Sequence, residues 1–199
     1  MGHSRQDKAA SHDRIVRIAA GRVREAGADA LGVAELMQEA GLTHGGFYRH
    51  FGSRDELVAE ALDEALAQSR ATVAAAREAG AGYAEIVADY LSPAHRDAPA
   101  AGCAVAALAS EAGRLQDRPR EAFTRHVEAS TETFLALLRA KNPAATRADA
   151  LLAVSALAGT VALARAVSDP ALSDEILQGV RERLVALARP ERKAGDSAA

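Results

Sequence analysis

The chain has 199 residues, one cysteine, no tryptophan, an apolar content of 49% and a formal net charge of -3, which allows a small domain beside a larger one and excludes an intramolecular disulfide. β-Branched residues never gather into alternating runs, apolar stretches break at charge or glycine before about 18 residues, and the first 25 residues carry charge throughout, which argues against a β-rich fold, a transmembrane helix and a secretory signal. The expectation is an all-α, cytoplasmic protein without a membrane partner.

Residues 1–10 are polar and expected to be partly disordered. A first helix is predicted from Ser11–Asp13 to about Glu25, with Ile15, Ile18, Ala19 and Val23 on one face and Gly27 as its stop. Arg14, Arg17, Arg22 and Arg24 are assigned to the remaining surface, where some of them are candidates for meeting DNA phosphates. Two short helices then follow within GVAELMQEAGLTHGGFYRHF, residues 32–51. Gly32 stands at an N-cap with Glu35 three residues on, Val33, Leu36 and Met37 form an apolar face, and Gly41 permits a sharp turn. The second of these helices starts near Thr43, with Phe47 and Phe51 turned into a small core. This is the layout of a helix-turn-helix that enters a DNA major groove.

On that reading Thr43 and His44 probe base edges from the first turn, helped by the positive helix end, while Tyr48 donates to a backbone phosphate and His50 lies nearby. The adjacent Gly45 and Gly46 each cost roughly 1 kcal/mol in a helix relative to alanine. Their missing side chains are expected to let the helix axis approach the groove closely. Charge agrees in sign: residues 1–54 hold eight Lys/Arg against six Asp/Glu, and residues 55–199 hold sixteen against twenty-one.

A fourth helix is predicted from Ser53, boxed by Glu56, through Val58, Leu62, Leu66 and Val73 to a stop at Gly80. Its length suits a lever between the DNA reader and the rest of the chain, and Arg54 in its first turn is placed to reach a phosphate. A shorter helix spans Tyr83 to Leu91, residues 95–102 read as loop, and residues 103–113 form a small-residue helix. The next helix opens at Arg118-Pro119, shows Phe123, Val127, Phe134 and Leu138, and ends near Pro143. Residues 145–167 are apolar nearly all round, and a last helix from Ser173 carries Ile176, Val180, Leu184 and Leu187. Two such helices left on one subunit would keep much apolar surface wet. A four-helix dimer interface is therefore expected, through Leu151, Val154, Leu157, Val161, Ile176, Val180 and Leu184.

The run from Ile15 to Leu62, above all GLTHGGFYRHFGSRDELVAEAL at 41–62, resembles the TetR family of bacterial transcriptional regulators. The resemblance is specific over residues 12–62 and rests on helix count and length beyond them. It implies an all-helical homodimer: an N-terminal three-helix DNA-binding domain, residues 10–52, joined by a long fourth helix to a ligand-binding and dimerisation domain, residues 53–190, before a disordered tail at 191–199. It implies a repressor that leaves a double-stranded, pseudo-palindromic operator when a small molecule binds. The family's DNA-contacting positions fall on Thr43, His44 and Tyr48, with His50 nearby, and on Arg54. The chain departs from the family pattern with Gly32 for Ser or Thr, Met37 for alanine and Gly46 for Thr or Ser.

An effector pocket is expected among Tyr83, Tyr90, Cys103, Phe123, His126, Thr131 and Phe134, as a mostly apolar wall with few polar groups, for an unidentified apolar or amphipathic ligand. No Cys-x-x-Cys, His-x-x-x-His or Glu-x-x-His spacing occurs, so no metal, cofactor or catalytic residue is expected, and Cys103 reads as an inert buried thiol. The alternatives to a ligand-released repressor are a ligand-independent regulator or activator and, more remotely, a small helical enzyme.

Overall fold

The computed structural model describes residues 5–114 and 117–189; the expected tail at 191–199 lies outside them. The described residues form nine α-helices and two short 3-10 helices. They divide into two compact units, residues 5–72 with 97–114 and 117–126, and residues 73–96 with 127–189.

In the first unit, α1 (Arg5–Ala26) begins earlier than its apolar face suggested, through a polar turn that carries Asp7 near the helix N-terminus. Helix α2 (Val33–Glu39) follows, then a 3-10 helix (His44–Arg49) and the long α3 (Arg54–Glu78). Ser53 caps α3 by accepting from the Glu56 N–H at 3.1 Å, while the Glu56 carboxylate accepts from the Gly52 N–H at 2.6 Å. This is the anticipated capping box shifted by one residue. Ile15, Ala19 and Val23 of α1 pack with Leu36 and Met37 of α2, Phe47, Phe51, and Leu57, Ala61, Leu62 and Leu66 of α3. Helix α6 (Ala104–Ala112) adds Ala104 and Leu108, and α7 (Asp117–Arg139) contributes Ala122 and Phe123 from its first half.

Arg24 does not lie on the surface. Its side chain is buried in this core, where Nε donates to the Ala100 carbonyl at 2.6 Å, Nη2 to Gln68 Oε1 at 2.8 Å and Nη1 to the Ala65 carbonyl at 3.4 Å. Burial lowers its pKa from the ordinary arginine value, because desolvation penalises the charge. The acceptors explain why it is tolerated: each faces a donor that cannot find water.

The second unit is built from α4 (Tyr83–Tyr90), α5 (Pro93–Asp97), the second half of α7, α8 (Arg147–Ala166) and α9 (Pro170–Leu187), with α8 packed along α9 and α4 also against α9. The expected loop at 95–102 is instead largely helical, as the end of α5 and a 3-10 turn at Pro99–Ala101. Proline is compatible with the first turn of both, since the N–H it lacks has no helical partner there. Thr146 and Asp149 cap α8 reciprocally, and Asp169 caps α9. Among the described residues α8 is long and apolar enough to cross a membrane by length and composition, with a mean hydropathy of 1.5. Asp149 and Arg165 bound its charge-free run, residues 150–164, and the core helix of a helical bundle passes the same test of length and composition. Its inward row, Ala150, Ala153, Leu157, Thr160, Val161 and Ala164, is buried.

Candidate nucleic-acid interface

The turn after α2 shows why Gly41 occupies it. Gly41 has φ of 69°, the Leu42 N–H donates to the Met37 carbonyl at 2.8 Å, and the Gly41 N–H donates to that of Gln38 at 2.9 Å. These two bonds satisfy the last carbonyls of α2 in a left-handed stop that a side chain would strain. The chain then reverses into the recognition segment.

That segment is a 3-10 helix rather than the expected α-helix. The Gly46 N–H donates to the Thr43 carbonyl at 2.9 Å and the His50 N–H to that of Phe47 at 2.9 Å, three residues back in each case. Two consecutive glycines weaken any α-helical preference, and the Thr43 hydroxyl makes no cap bond. Phe47 and Phe51 are buried with ring centroids 5.5 Å apart, as expected, and anchor the segment from below. Tyr48 meets Phe47 edge-on yet is 74% exposed, whereas Phe47 is 2% exposed. Thr43, His44, Gly45 and Arg49 are exposed beside it.

The two glycines differ. A β-carbon on Gly45 would meet nothing within 4 Å, while one on Gly46 would lie 3.6 Å from the terminal methyl of Met37 and 3.8 Å from the Thr43 hydroxyl. A β-carbon at Gly46 would thus rest in ordinary contact with Met37, and only a longer side chain would press on it. Of the two, Gly45 is the one that faces open space.

His50 is turned partly inward. Its ring lies 6.1 Å from that of His12 and 6.3 Å from Phe51, and its Nδ1 is buried without a hydrogen-bond partner among the described residues. Burial, with the charges of His12, Lys8 and Arg49, pushes its pKa below the ordinary histidine value. His12 itself donates from Nε2 to Glu60 Oε2 at 2.7 Å and stacks on Phe51.

Arg54 is also committed within the fold. Nη2 donates to the Ala28 carbonyl at 2.6 Å and the Asp29 carbonyl at 2.9 Å, and Nε to that of Leu31 at 3.3 Å. From the other side Glu111 of α6 accepts from the Ala28 N–H at 3.0 Å. The turn joining α1 to α2 is thus clamped by a cation on its carbonyls and a carboxylate on its amide. Arg22 pairs with Glu39 of α2 at 2.7 Å, and Arg17 reaches the Asp13 carbonyl. Arg49, next to Tyr48, is an exposed cation of this segment that the expected contact set does not include. A basic residue in the last turn of the reader was the available signal.

The expected effector residues divide between the units. In the first, Cys103 is half-buried at the N-cap of α6, Phe123 is core, and His126 is buried with Nδ1 accepting from Arg70 Nη1 at 3.3 Å. Burial and then the Arg70 charge hold the His126 pKa down at about 4. An imidazole kept neutral in the fold and titrating near 6.5 when unfolded stabilises the protein fully above 6.5 and loses that contribution as pH falls toward 4. The expected result is a thermal midpoint that drops over this window, with a smaller drop in His126→Gln. In the second unit, Tyr90 packs edge-on against His95 at 4.5 Å, Thr131 donates to the Val127 carbonyl at 2.7 Å, and Tyr83 meets Phe134 edge-on at 6.1 Å.

The expected dimer residues divide by burial. Leu157, Val161 and Leu184 lie in the interior of the second unit and cannot face another subunit without unpacking it. Leu151 is 41% exposed, and Val154, Ile176 and Val180 are half-buried. Leu152 and Leu163, on the same nearly all-apolar helix, are exposed as well. Among the described residues no cluster of three or more His, Cys, Asp or Glu is arranged to hold a metal ion.

Residues 15–61 match the sequence profile of "Bacterial regulatory proteins, tetR family". Over 195 residues the chain is 33% identical to the HTH-type transcriptional regulator Rv0196 of Mycobacterium tuberculosis, itself described as uncharacterized; the match spans 90% of this chain and 96% of that protein. The fold is shared with a TetR-family regulator from Cytophaga hutchinsonii, with TM-score 0.74 at 18% identity over 94% of this chain and 98% of the other. It is shared equally with one from Chloroflexus aurantiacus, with TM-score 0.74 at 21% identity over 90% and 96% of the two chains. With the helix-turn-helix lying inside the matched residues and the likeness running along nearly the whole chain, the protein belongs to the TetR family of bacterial regulatory proteins, which are DNA-binding transcriptional regulators and not enzymes.

Proposed function

We propose that the protein is a cytoplasmic, dimeric repressor that binds a pseudo-palindromic operator and leaves it when a small apolar or amphipathic molecule binds the second unit. The observation that carries the DNA-binding half of this reading is Tyr48, an aromatic side chain held 74% exposed on a buried Phe47 anchor. A large exposed ring beside His44, Gly45 and Arg49 is costly in water and useful against a sugar-phosphate backbone. Thr43 and His44 supply the base-edge contacts, and Tyr48 and Arg49 the phosphate contacts.

The dimer would be formed by α8 and α9. Leu151, Leu152 and Leu163 on α8 and Leu172 on α9 are exposed, and a second copy of the same face covers them in a four-helix contact. The recognition segments would then stand about 34 Å apart, one turn of duplex. The effector's wall would include Tyr83, Tyr90, Thr131 and Phe134, and its binding would favour a spacing that the operator does not fit.

Selection from a random duplex pool followed by mobility-shift titration tests this directly. The expected product is an inverted repeat with half-sites about one helical turn apart, bound by the dimer and released by at least one compound from an apolar ligand panel. A selected site without dyad symmetry would overturn the dimeric reading, and a compound that binds without changing operator affinity would overturn the coupling.

A further inference from the structure

Tyr83 opens α4 directly after the Gly82 N-cap, and its side chain is 2% exposed. Its hydroxyl is buried and has no hydrogen-bond partner among the described residues. The Asp149 carboxylate, whose charge acts on the phenol, accepts from both the N–H and the hydroxyl of Thr146, at 2.7 and 2.8 Å. The ring itself packs edge-on against Phe134. A phenylalanine would fill this place without stranding a donor, so the hydroxyl costs stability that the fold does not recover.

We propose that Tyr83 is a specificity-determining donor for the effector, and that the effector class is an apolar molecule bearing an uncharged acceptor such as a ketone, ester or lactone carbonyl. This rests on the ligand-responsive reading and names the chemistry at that site. The phenol suits the role because it stays protonated: burial, with the charge of Asp149, pushes its pKa up to about 12. The same negative charge disfavours a carboxylate in the acceptor position, and the apolar packing disfavours any ion. A neutral carbonyl accepts the bond at no such cost.

The test uses the full chain and Tyr83→Phe with linear methyl ketones of graded length, each paired with the n-alkane of equal carbon count and with the corresponding carboxylate. Binding is read by calorimetry and by thermal midpoint. In the native protein the best ketone is expected to bind about tenfold tighter than its alkane and tighter than its carboxylate. Tyr83→Phe is expected to fold with an equal or higher midpoint and to lose the preference for the ketone over the alkane. A preference that survives in Tyr83→Phe, equal binding of ketone and alkane to the native protein, or no ketone binding at any length would each overturn the assignment. Ketone binding that depends on Tyr83 but leaves operator affinity unchanged would support the subsite and sink the ligand-released reading instead.

Discussion

Replacing Gly45 with leucine is expected to cost about 100-fold or more in operator affinity, roughly 2.8 kcal/mol at 1.4 kcal/mol per decade, without lowering the thermal midpoint. A β-carbon at Gly45 meets nothing within 4 Å, so the folded chain has room for the substitution. Leucine also favours helical backbone over glycine by up to ~1 kcal/mol. The added branch would stand on the exposed surface between His44 and Tyr48, where it holds the segment away from the groove floor. Gly46→Leu is the contrasting case. Its β-carbon would already touch the Met37 methyl at 3.6 Å, and Met37 is fully buried, so the remaining atoms would overpack the junction of α2 with the recognition helix at about 1–3 kcal/mol. Gly46→Ala fits in ordinary contact and should bind nearly as the native protein does. Mobility-shift titrations beside thermal melts separate the two effects. Native affinity in Gly45→Leu would mean that the protein reads its site through Tyr48 and Arg49 phosphate contacts without close backbone approach.

The helices were legible because most are amphipathic at a 3.6 period and stop where glycine or proline makes them stop, as at Gly27, Gly41 and Gly80. The recognition segment was legible as a position and not as a geometry. Phe51 lies beyond the 3-10 helix His44–Arg49 and its N–H returns to the Phe47 carbonyl four residues back at 3.1 Å, so the Phe47–Phe51 spacing reads as α-helical and gave no sign of the 3-10 form. Arg24 is more instructive. It continues the row Val16, Ala20, Arg24 at four-residue steps, and all three are buried, so the period pointed inward while the residue type pointed to the surface. The period was the better guide because Ala65, Gln68 and Ala100 present oxygens at that place. The Glu111 contact with Ala28 spans 83 residues of sequence, and no local pattern encodes a pairing of that range.

Arg54 makes the second large prediction, because the residue expected on a phosphate is instead engaged by three carbonyls of the α1–α2 turn. Arg54→Ala should destabilise the first unit by about 1–2 kcal/mol, since charge-assisted bonds to part-buried and exposed carbonyls are lost. Arg54→Lys should rescue little, because a single ammonium cannot span Ala28, Asp29 and Leu31 as a planar fork does. Chemical denaturation of the two variants measures this. The DNA readout then distinguishes clamp from contact: a residue that neutralises one phosphate contributes about 0.9 to the slope of log affinity against log salt. Below its melting range, Arg54→Ala is expected to bind operator more weakly at every salt concentration with the native slope, because the turn that sets α2 against α1 has lost its clamp on one side. A slope shallower by about one unit, with unchanged stability, would return Arg54 to the DNA and leave the turn to Glu111 and its own backbone bonds.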